Sequence, residues 1–463
     1  MKIYWKTVNE FGYKFSILKF TEQQIESIAP NPAAFKSGKS LSKKQNWSSF
    51  AQSERSIWGE IKGSGSKPYQ TQIDITNFSY KCSCPSRQFP CKHGLGLMLL
   101  HANLPSEFKS SEEPEWVKNW MDKRDAKANK PTKEEELSPE QLEKREKAKI
   151  KTQENRFEEV KAGVDELELW LKDLVRIGLL ELPQKPTNEF AKLATRMVDA
   201  KAPGLAYWVG LFGKINYSNE GVWQEEALAL VAKIFLMLKT FNNYEQLSPI
   251  WQITIKNLVG WSQSAKELLA SSDAEVINDQ WLVAGQETSI DGDISTHKNW
   301  LIGILTNKKA IVVNHTTYYT NIENPLIPGS IIQGDFIYFP ASLPYRGVFK
   351  TQQNLLDTLS QLPAQLQNWA EAYALYGEMR KQNPWHADLL CCIKNVALIK
   401  QKNQWLVYDQ NLNYCLVEQD FEILKLLKWL AITKNKKTNA VLVLRNEKLY
   451  PLGVFQNNKY LLL

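Results

Sequence analysis

A helical pattern of apolar residues dominates the middle of this chain. From Phe157 onward, large apolar side chains advance by three or four residues, which places them on one face of an α-helix. The members of this stripe are Phe157, Val160, Val164, Leu167, Leu171 and Leu174. Gly178 follows the stripe and is typical of a helix end. Two more helices are predicted at residues 188–202 and 223–242, so we expect a helical domain here.

The pattern changes to strands after residue 276. Short segments rich in β-branched and aromatic residues alternate with turn residues, which is typical of β-strands. These segments are 280–284, 299–305, 310–314, 330–340, 389–400, 405–408, 440–444 and 459–462. A helix is predicted at 355–376, between the two groups of strands. The C-terminal part is therefore expected to be a β-rich domain of mixed α+β type.

The N-terminal part mixes strands and short helices. Segments 56–62 and 69–76 predict two strands joined by a turn rich in Gly and Ser. Thr21 precedes a short helical pattern and is a typical N-cap. Residues 34–44 are rich in Ser, Lys and Gly, which fits either a solvated loop or an arm that contacts phosphates. We interpret residues 1–50 as an N-terminal arm that is irregular or forms a short strand.

Dense charges of both signs mark a linker between the N-terminal and middle parts. Residues 110–158 are rich in Glu and Lys, and Ser138 followed by Pro139 is a good helix start. The linker is therefore expected to be partly helical. Together these patterns predict an α+β multidomain protein. The expected divisions are an arm at 1–50, a small unit at 51–108, the linker at 109–156, a helical domain at 157–272 and the β-rich domain at 273–463.

Composition supports folded domains and an intracellular location. The chain has 463 residues, of which 43% are hydrophobic and 11% aromatic, enough for two or three domains with real cores. The start of the chain lacks the apolar segment of a signal peptide. The most apolar run, 227–238, is interrupted by Lys233 and is too short to span a bilayer. We therefore expect a cytoplasmic protein without a membrane span and with reduced cysteines.

Positive charge is concentrated at the N-terminal end. The net charge of the whole chain is +7, but within residues 1–110 there are 15 Lys and Arg against 7 Asp and Glu, a net of +8. The remaining residues therefore sum to about −1. A basic module attracts polyanions such as nucleic acid. Net charge affects how a charged partner is steered towards the protein and bound nonspecifically, but it does not determine the fold. The residues predicted for such contacts are Lys39, Lys43, Lys44, Lys81, Arg87 and Lys92.

The strongest chemical signal is a cluster of three cysteines and one histidine. Cys82, Cys84, Cys91 and His93 follow the spacing C-x-C-x6-C-x-H. Residues two apart on an extended segment point the same way, so each pair can direct both ligands to one point. Three thiolates and an imidazole form a closed shell for one structural Zn²⁺, without an open position for catalysis. Disulfides are the alternative, but three cysteines cannot pair among themselves and nothing marks the chain as secreted.

These four residues resemble the ligands of the SWIM zinc finger, a family found in bacterial proteins, Mutator-type transposases, plant transcription regulators and some ubiquitin ligases. The likeness extends to other segments and covers roughly the first 210 residues. It includes Trp58, 63–69, Asp74, 82–95, 163–179 and 194–206. These segments are particularly similar to bacterial SWIM-domain proteins.

The resemblance implies a small zinc-stabilised ββα finger. In this arrangement a hairpin brings in the first two cysteines, and a helix starts near the histidine. It also implies a module that binds DNA or proteins and has no catalysis of its own. Bacterial relatives are often encoded beside MoxR-type ATPases and von Willebrand A-type proteins, which makes these two classes the expected partners.

No catalytic centre is evident from the residues. No phosphate-binding loop, dinucleotide fingerprint, zinc-protease or serine-hydrolase motif is present. Charged residues of the helical domain offer an alternative carboxylate and arginine site: Asp165, Asp173, Arg176, Arg196 and Asp199. Charges beside apolar stripes usually form salt bridges instead. The other cysteines, Cys391, Cys392 and Cys415, lie among apolar residues and are expected to be core thiols.

We therefore expect a zinc-binding adaptor without enzymatic activity or a small-molecule substrate. Two classes of partner stay open. The long C-terminal domains carry no net positive charge, which favours a protein partner. The basic finger favours nucleic acid, and in that alternative the protein binds DNA or RNA through finger contacts to the phosphate backbone.

Overall fold

Three groups of elements follow one another along the chain. The computed structural model describes residues 21–63, 67–75, 79–86, 88–128, 139–219, 221–272, 274–317, 322, 325–355, 359, 362–363 and 365–463. The described residues up to 128 are called the N-terminal unit here, residues 139–272 the helical unit, and the described residues from 274 onward the C-terminal unit.

The N-terminal unit contains an antiparallel sheet with helices on both faces. Its elements are α1 (Glu22–Ser27), α2 (Pro32–Leu41), β1 (Trp47–Gln52), β2 (Ser56–Ile61), β3 (Tyr69–Asp74), β4 (Tyr80–Cys82), α3 (Lys92–Asn103) and α4 (Glu115–Ala128). The strand order is β1-β2-β3-β4. Ile57 and Ile73 share one core with α1, α2 and α3. Trp58 points to the opposite face, where it packs against Val117 and Met121 of α4.

Most of the segment rich in Ser and Lys at 34–44 lies in helix α2, not in the predicted loop or arm. Asn31 caps α2 by accepting a hydrogen bond from the amide of Ala34, and Pro32 fills the first helical position. Gly38 packs on α3, where an added Cβ would lie 2.6 Å from the Cβ of Leu95. This close approach explains why position 38 has no room for a side chain. The serines and lysines of α2 therefore form its exposed face.

Other predictions for this part of the chain are partly confirmed. Thr21 forms a capping box with Gln24 at the start of α1, as expected of an N-cap. The predicted strands at 56–62 and 69–76 correspond to β2 and β3, and β1 and β4 extend the finger beyond a ββα unit. Residues 115–128 of the predicted linker form α4, which packs on the sheet. Residues 1–20 and 129–138 lie outside the described part of the chain.

The helical unit is built around the predicted apolar stripe. Its helices are α5 (Pro139–Ile177), α6 (Thr187–Asp199), α7 (Pro203–Gly210), α8 (Trp223–Asn242), α9 (Pro249–Val259) and α10 (Ala265–Leu269). The stripe residues from Val160 to Leu174 are buried in its core, and Gly178 ends α5 with φ of +105°. Glu168 of α5 accepts hydrogen bonds from Lys239 (2.8 Å) and Asn242 (2.9 Å) of α8. The stripe, the helix end and the two later helices are thus confirmed.

Length and hydrophobicity together decide whether a helix of the described residues could span a membrane. None of these helices combines the length and the hydrophobicity needed to cross a bilayer. The apolar run at 227–238 lies within α8, whose inward face packs in the core of the helical unit.

The C-terminal unit packs two sheets against each other; the first is antiparallel, and the second is antiparallel apart from one parallel pairing. Its elements are β5 (Val276–Asp291), β6 (Ile294–Gly303), β7 (Lys309–Thr317), β8 (Ile331–Tyr338), β9 (Gly347–Leu355), α11 (Trp369–Gln382), β10 (Asp388–Gln401), β11 (Gln404–Tyr408), β12 (Tyr414–Val417), α12 (Ile423–Thr433), β13 (Thr438–Arg445), β14 (Lys448–Gln456) and β15 (Lys459–Leu462). The orders are β7-β6-β5-β8-β9 and β12-β11-β10-β13-β14-β15. Trp300 and Val441 belong to the core between the sheets, whereas Trp369 and Trp429 pack α11 and α12 on the six-stranded sheet.

One helix of this unit was predicted at the wrong position. The helix expected at 355–376 begins only at Trp369, because Asn368 caps α11 there by accepting from the amide of Glu371. Leu355 instead ends β9, which was not predicted. The predicted strands correspond to β5, β6, β7, β8, β10, β11, β13 and β15, so the unit is β-rich as expected.

A half-buried ionic cluster joins the two sheets. Arg445 of β13 donates hydrogen bonds to Asp388 of β10 and to Glu287 of β5, the latter at 2.9 Å. Lys298 of β6 pairs with the same Asp388 carboxylate. Burial alone would raise the pKa of Asp388, but the charges of Lys298 and Arg445 outweigh burial and lower it. The cluster thus fixes strands of both sheets by charge as well as by packing.

Replacing Arg445 with Met should destabilise the C-terminal unit, because Glu287 then loses its ion pair and Asp388 keeps only Lys298. We expect the free energy of unfolding to fall by about 1.5 to 3 kcal/mol near neutral pH, the range for hydrogen bonds to charged groups. The lowered pKa of Asp388 stabilises the wild-type protein above the unfolded pKa, and this contribution is lost as pH falls through the folded value. The difference between variant and wild type should therefore shrink on acidification.

Urea unfolding followed by circular dichroism at neutral and acidic pH measures this difference. Lys147→Met is the control, because Lys147 forms only an exposed pair with Glu143 on α5. It should leave the unfolding midpoint unchanged. An Arg445→Met variant as stable as the wild type at neutral pH would contradict the assigned role of the cluster.

Candidate metal centre

The four predicted ligands converge where the sheet of the N-terminal unit meets α3. Cys82 is the last residue of β4, and Cys84 follows two residues later. Cys91 is the N-cap of α3, and His93 lies in the first turn of this helix. The ligand atoms of the four residues all lie within 4.8 Å of one another. The structure therefore brings together all four residues that the spacing predicted.

Local pairing explains how the site is positioned. The pairing of Thr71 on β3 with Cys82 on β4 holds the first thiol, and the hydroxyl of Thr71 donates a hydrogen bond to its sulfur at 3.2 Å. The sulfur of Cys91 accepts from the amide of Gly94 at 3.4 Å, which is the hydrogen bond of a helix cap. The ring of Tyr69 lies 5.1 Å from the ring of His93. Sequence reasoning missed Thr71 and Tyr69, since only the strand register places them beside the ligands.

The geometry fits one zinc ion. In a tetrahedral shell with Zn–S near 2.3 Å and Zn–N near 2.0 Å, ligand atoms lie about 3.5 to 3.8 Å apart. The sulfur of Cys82 lies 3.8 Å from Nδ1 of His93, which identifies Nδ1 as the ring nitrogen directed into the site. Cys91 and His93 are buried, whereas Cys82 and Cys84 are half-buried. With four protein ligands the shell is closed, so the ion would be structural rather than catalytic.

The close ligands compete for protons. Hydrogen bonds from Cys82 and Cys91 lower the pKa of Cys84, and hydrogen bonds to Cys82 and Cys84 raise that of Cys91. Burial lowers the pKa of His93, but its hydrogen bonds to Cys82 and Cys84 outweigh burial and raise it to about 9. Zinc must therefore displace protons from this cluster, so its affinity decreases as the pH falls.

The predicted basic residues have different surroundings. Lys81 and Lys92 are exposed and adjoin the ligands Cys82 and Cys91 along the chain. Lys39 pairs with Glu22, and Lys44 pairs with Glu107. Lys43 is exposed in the connection after α2, and Arg87 lies outside the described residues. Two of the predicted phosphate contacts thus already have carboxylate partners.

The remaining histidine and cysteine candidates do not join the site. His101 is buried on α3, with Nε2 3.1 Å from the amide oxygen of Gln52, and burial lowers its pKa to about 4. Cys391, Cys392 and Cys415 are free and buried in the C-terminal unit. Burial raises the pKa of Cys392 and of Cys415 to about 11. These thiols are therefore core residues, as expected.

The charged residues proposed as an alternative active site lie on the surface of the helical unit. Arg176 lies 3.8 Å from Asp173 on the same helix, and Arg196 pairs with Glu166 at 2.6 Å. Asp165 is exposed and Asp199 is also exposed. The two arginines therefore form exposed salt bridges, in agreement with the interpretation favoured from the sequence.

A large cleft lies next to the metal ligands. Its volume is about 980 Å³, and it separates the N-terminal unit from the C-terminal unit. Phe35 of α2 lines one wall together with Phe89 and Pro90, which belong to the loop between the ligands Cys84 and Cys91. Leu326 and Leu424 line the opposite wall. Because metal ligands flank this loop at both ends, zinc binding would fix the position of one wall.

Replacing Cys82 and Cys91 together with Ser should abolish zinc binding, because each change removes a thiolate from the shell. The N-terminal unit should then lose its protection from proteolysis, whereas the C-terminal unit, with its own cores, should stay folded. Zinc content and limited proteolysis measure both effects. Cys415→Ala, outside the cluster, is the control and should keep one zinc per chain. Full zinc content in the double variant would contradict the ligand assignment.

Comparison with known families adds two matches. Residues 69–102 match the SWIM zinc finger, and this segment contains all four ligands. Residues 155–259 match the SWIM-associated four-helix bundle domain, which includes the buried stripe of α5. No curated protein and no solved structure matches the chain significantly. The chain thus contains a SWIM zinc finger followed by a SWIM-associated helical bundle.

Proposed function

We propose that this protein is an adaptor without catalytic activity, and that it binds a protein segment in the cleft between the N-terminal and C-terminal units. The cleft itself carries this proposal. Its volume of about 980 Å³ is at the upper end of what small-molecule sites occupy. Such a cleft suits a segment of another protein.

The side chains of the cleft define the chemistry of the partner. Phe89 is 43% exposed and Leu424 is 66% exposed, so both walls offer apolar contacts. Acidic residues outnumber basic ones along the lining. The charged lining residues are Glu26, Glu418, Asp420, Glu422, Lys425 and Lys428. A partner segment with apolar and basic side chains would match this surface.

The same charges argue against nucleic acid in the cleft, because carboxylates repel phosphates. Two further observations weaken the case for the finger as a phosphate-binding surface. Lys39 and Lys44 are already paired with carboxylates, and α4 covers the outer face of the sheet. By the family resemblance, a MoxR-type ATPase or a von Willebrand A-type protein is the first partner to test.

A nucleic-acid role of the finger is the second candidate. Lys81 and Lys92 support it, because both are exposed beside the metal ligands and neither forms an ion pair within the described part of the chain. In this alternative the two lysines contact the phosphate backbone, and zinc fixes the segments that carry them.

Phe89→Asp and Leu424→Asp should each weaken binding of the protein partner at least about tenfold, since each places a charge in an apolar contact. The measurement is calorimetric titration of the full-length, zinc-loaded protein with the MoxR-type ATPase and the von Willebrand A-type protein of the same genome. Zinc content should stay unchanged. Leu305→Asp is the control, because Leu305 is 74% exposed and does not line the cleft.

Two outcomes decide between the candidates. Equal binding by wild type and both cleft variants would overturn the assignment of the cleft. Binding to DNA or RNA that falls steeply with salt and is lost in Lys81→Glu/Lys92→Glu would favour the second candidate.

A further inference from the structure

One end of the six-stranded sheet carries a concentration of lysines. The β10–β11 turn, the connection from α12 to β13 and the β14–β15 turn all lie at this end, because β10, β13 and β14 are antiparallel neighbours. The lysines of this end are Lys394, Lys400, Lys402, Lys434, Lys436, Lys437 and Lys459. All except Lys394 are exposed, and Lys394 is half-buried. Three separate parts of the chain thus contribute cations to one surface.

Carboxylates do not balance this charge locally. Residues 393–408, 431–444 and 454–463 contain neither Asp nor Glu. Asp409, the next acid along the chain, is buried and accepts hydrogen bonds from the amides of Trp369, Asn411 and Asn413. Among the described residues, none of the seven lysines forms an ion pair with a carboxylate. The net charge of about −1 after residue 110 therefore conceals a strongly basic surface.

A structural role accounts for only part of this cluster. Lys434 follows the C-terminal end of α12, where a cation interacts favourably with the helix dipole. Lys400 lies near the end of β10, Lys402 in the turn that follows and Lys459 at the start of β15, all away from that helix end in the sequence. The helix dipole therefore does not account for the cluster as a whole.

Tyr408 lies beside Lys437, and Tyr414 is its neighbour on the next strand. Tyr408 on β11 is directly paired with Tyr414 on β12, so both side chains share one face of the sheet. Tyr414 is 60% exposed, and the ammonium group of Lys437 lies 5.5 Å from the ring centre of Tyr408. Ile399, two residues from the partner of Tyr408 on β10, is 44% exposed on the same face. The face therefore combines aromatic and apolar contact area with adjacent cations.

We propose that this end of the six-stranded sheet binds single-stranded nucleic acid. Lys436 and Lys437 contact phosphates, and Tyr408 and Tyr414 stack on bases. Surfaces that bind single strands without sequence preference combine these two features, a positive track for the backbone and aromatic rings for the bases. A duplex keeps its bases stacked inside, so it would use the lysines but not the tyrosines.

The site is separate from both surfaces discussed above. None of the seven lysines lines the cleft between the N-terminal and C-terminal units. The cleft contacts the start of α12 at Leu424, whereas Lys434 follows the end of this helix, about 15 Å away along its axis.

The test uses the full-length, zinc-loaded protein and a fluorescent oligothymidine of about 15 nucleotides. Lys436→Glu/Lys437→Glu should weaken binding at least tenfold at low salt, and should reduce the salt slope by about 0.7 for each lost phosphate contact. Tyr414→Ala should weaken binding by about 5- to 100-fold, the loss expected for one stacked base. Its salt slope should stay that of the wild type, because no charge is removed.

Control variants locate the binding on this surface. Lys147→Glu on α5 tests the effect of charge reversal elsewhere and should keep oligonucleotide binding within about twofold. Phe89→Asp in the cleft and Lys81→Glu/Lys92→Glu on the finger should also keep it. These controls separate the two proposals. If the proposed adaptor function fails, oligothymidine binding at the basic end can still be tested, and if oligothymidine binding fails, partner binding in the cleft can still be tested.

Three results would overturn the proposal. The first is unchanged oligothymidine binding in both the double lysine variant and Tyr414→Ala. The second is loss of binding only in the finger variant. The third is binding to a duplex of the same length, or to vesicles containing phosphatidylserine, with no effect of Tyr414→Ala, since either ligand would use the charge alone.

Discussion

The N-terminal unit depends on four ligands that would hold one zinc ion where its sheet meets α3. Cys82 ends a strand and Cys91 starts a helix, so coordination joins the sheet to α3 at their junction. The residues of α3 from His93 to His101 are buried, and α1 and α2 pack on this helix. The loop between Cys84 and Cys91 then lines the cleft that faces the C-terminal unit, through Phe89 and Pro90. A small metal shell thus positions both a core helix and one wall of a cleft that lies between two units.

Local pairing of charges, rather than their sum, decides what each surface can bind. The N-terminal unit is strongly basic by sequence, yet Lys39 and Lys44 are paired, and Arg55 donates hydrogen bonds to Glu113, Asp122 and Asp125. The C-terminal unit is nearly neutral by sequence, yet its charges are sorted by position. Acidic residues follow β12 towards α12 and line the cleft, whereas the lysines gather at the far end of the same sheet. Net charge over a segment could reveal neither arrangement.

The sequence was sufficient for features that depend on local spacing. The C-x-C-x6-C-x-H pattern identified every ligand, and the apolar stripe that begins at Phe157 identified the core face of α5. Features set by contacts between distant segments were not predictable. The polar composition of α2 resembles a loop, and the burial of Gly38 against Leu95 depends on tertiary packing. The helix expected from residue 355 begins instead at Trp369, because Asn368 caps the helix there although the helical sequence pattern starts earlier. Likewise Thr71 lies beside Cys82 only through strand register.

The arrangement also bears on what zinc can control. The ion acts on the cleft through the loop that carries Phe89, so loss of zinc would change the cleft first. The basic end of the six-stranded sheet rests on a different support. Its strands are held by the core that contains Trp369 and Trp429, and the two sheets are joined by Arg445, Asp388 and Glu287. If both proposals hold, the two independently supported surfaces would bind a protein and a polyanion at once, and only the protein site would respond to the metal. That separation would let the proposed adaptor connect two different ligands.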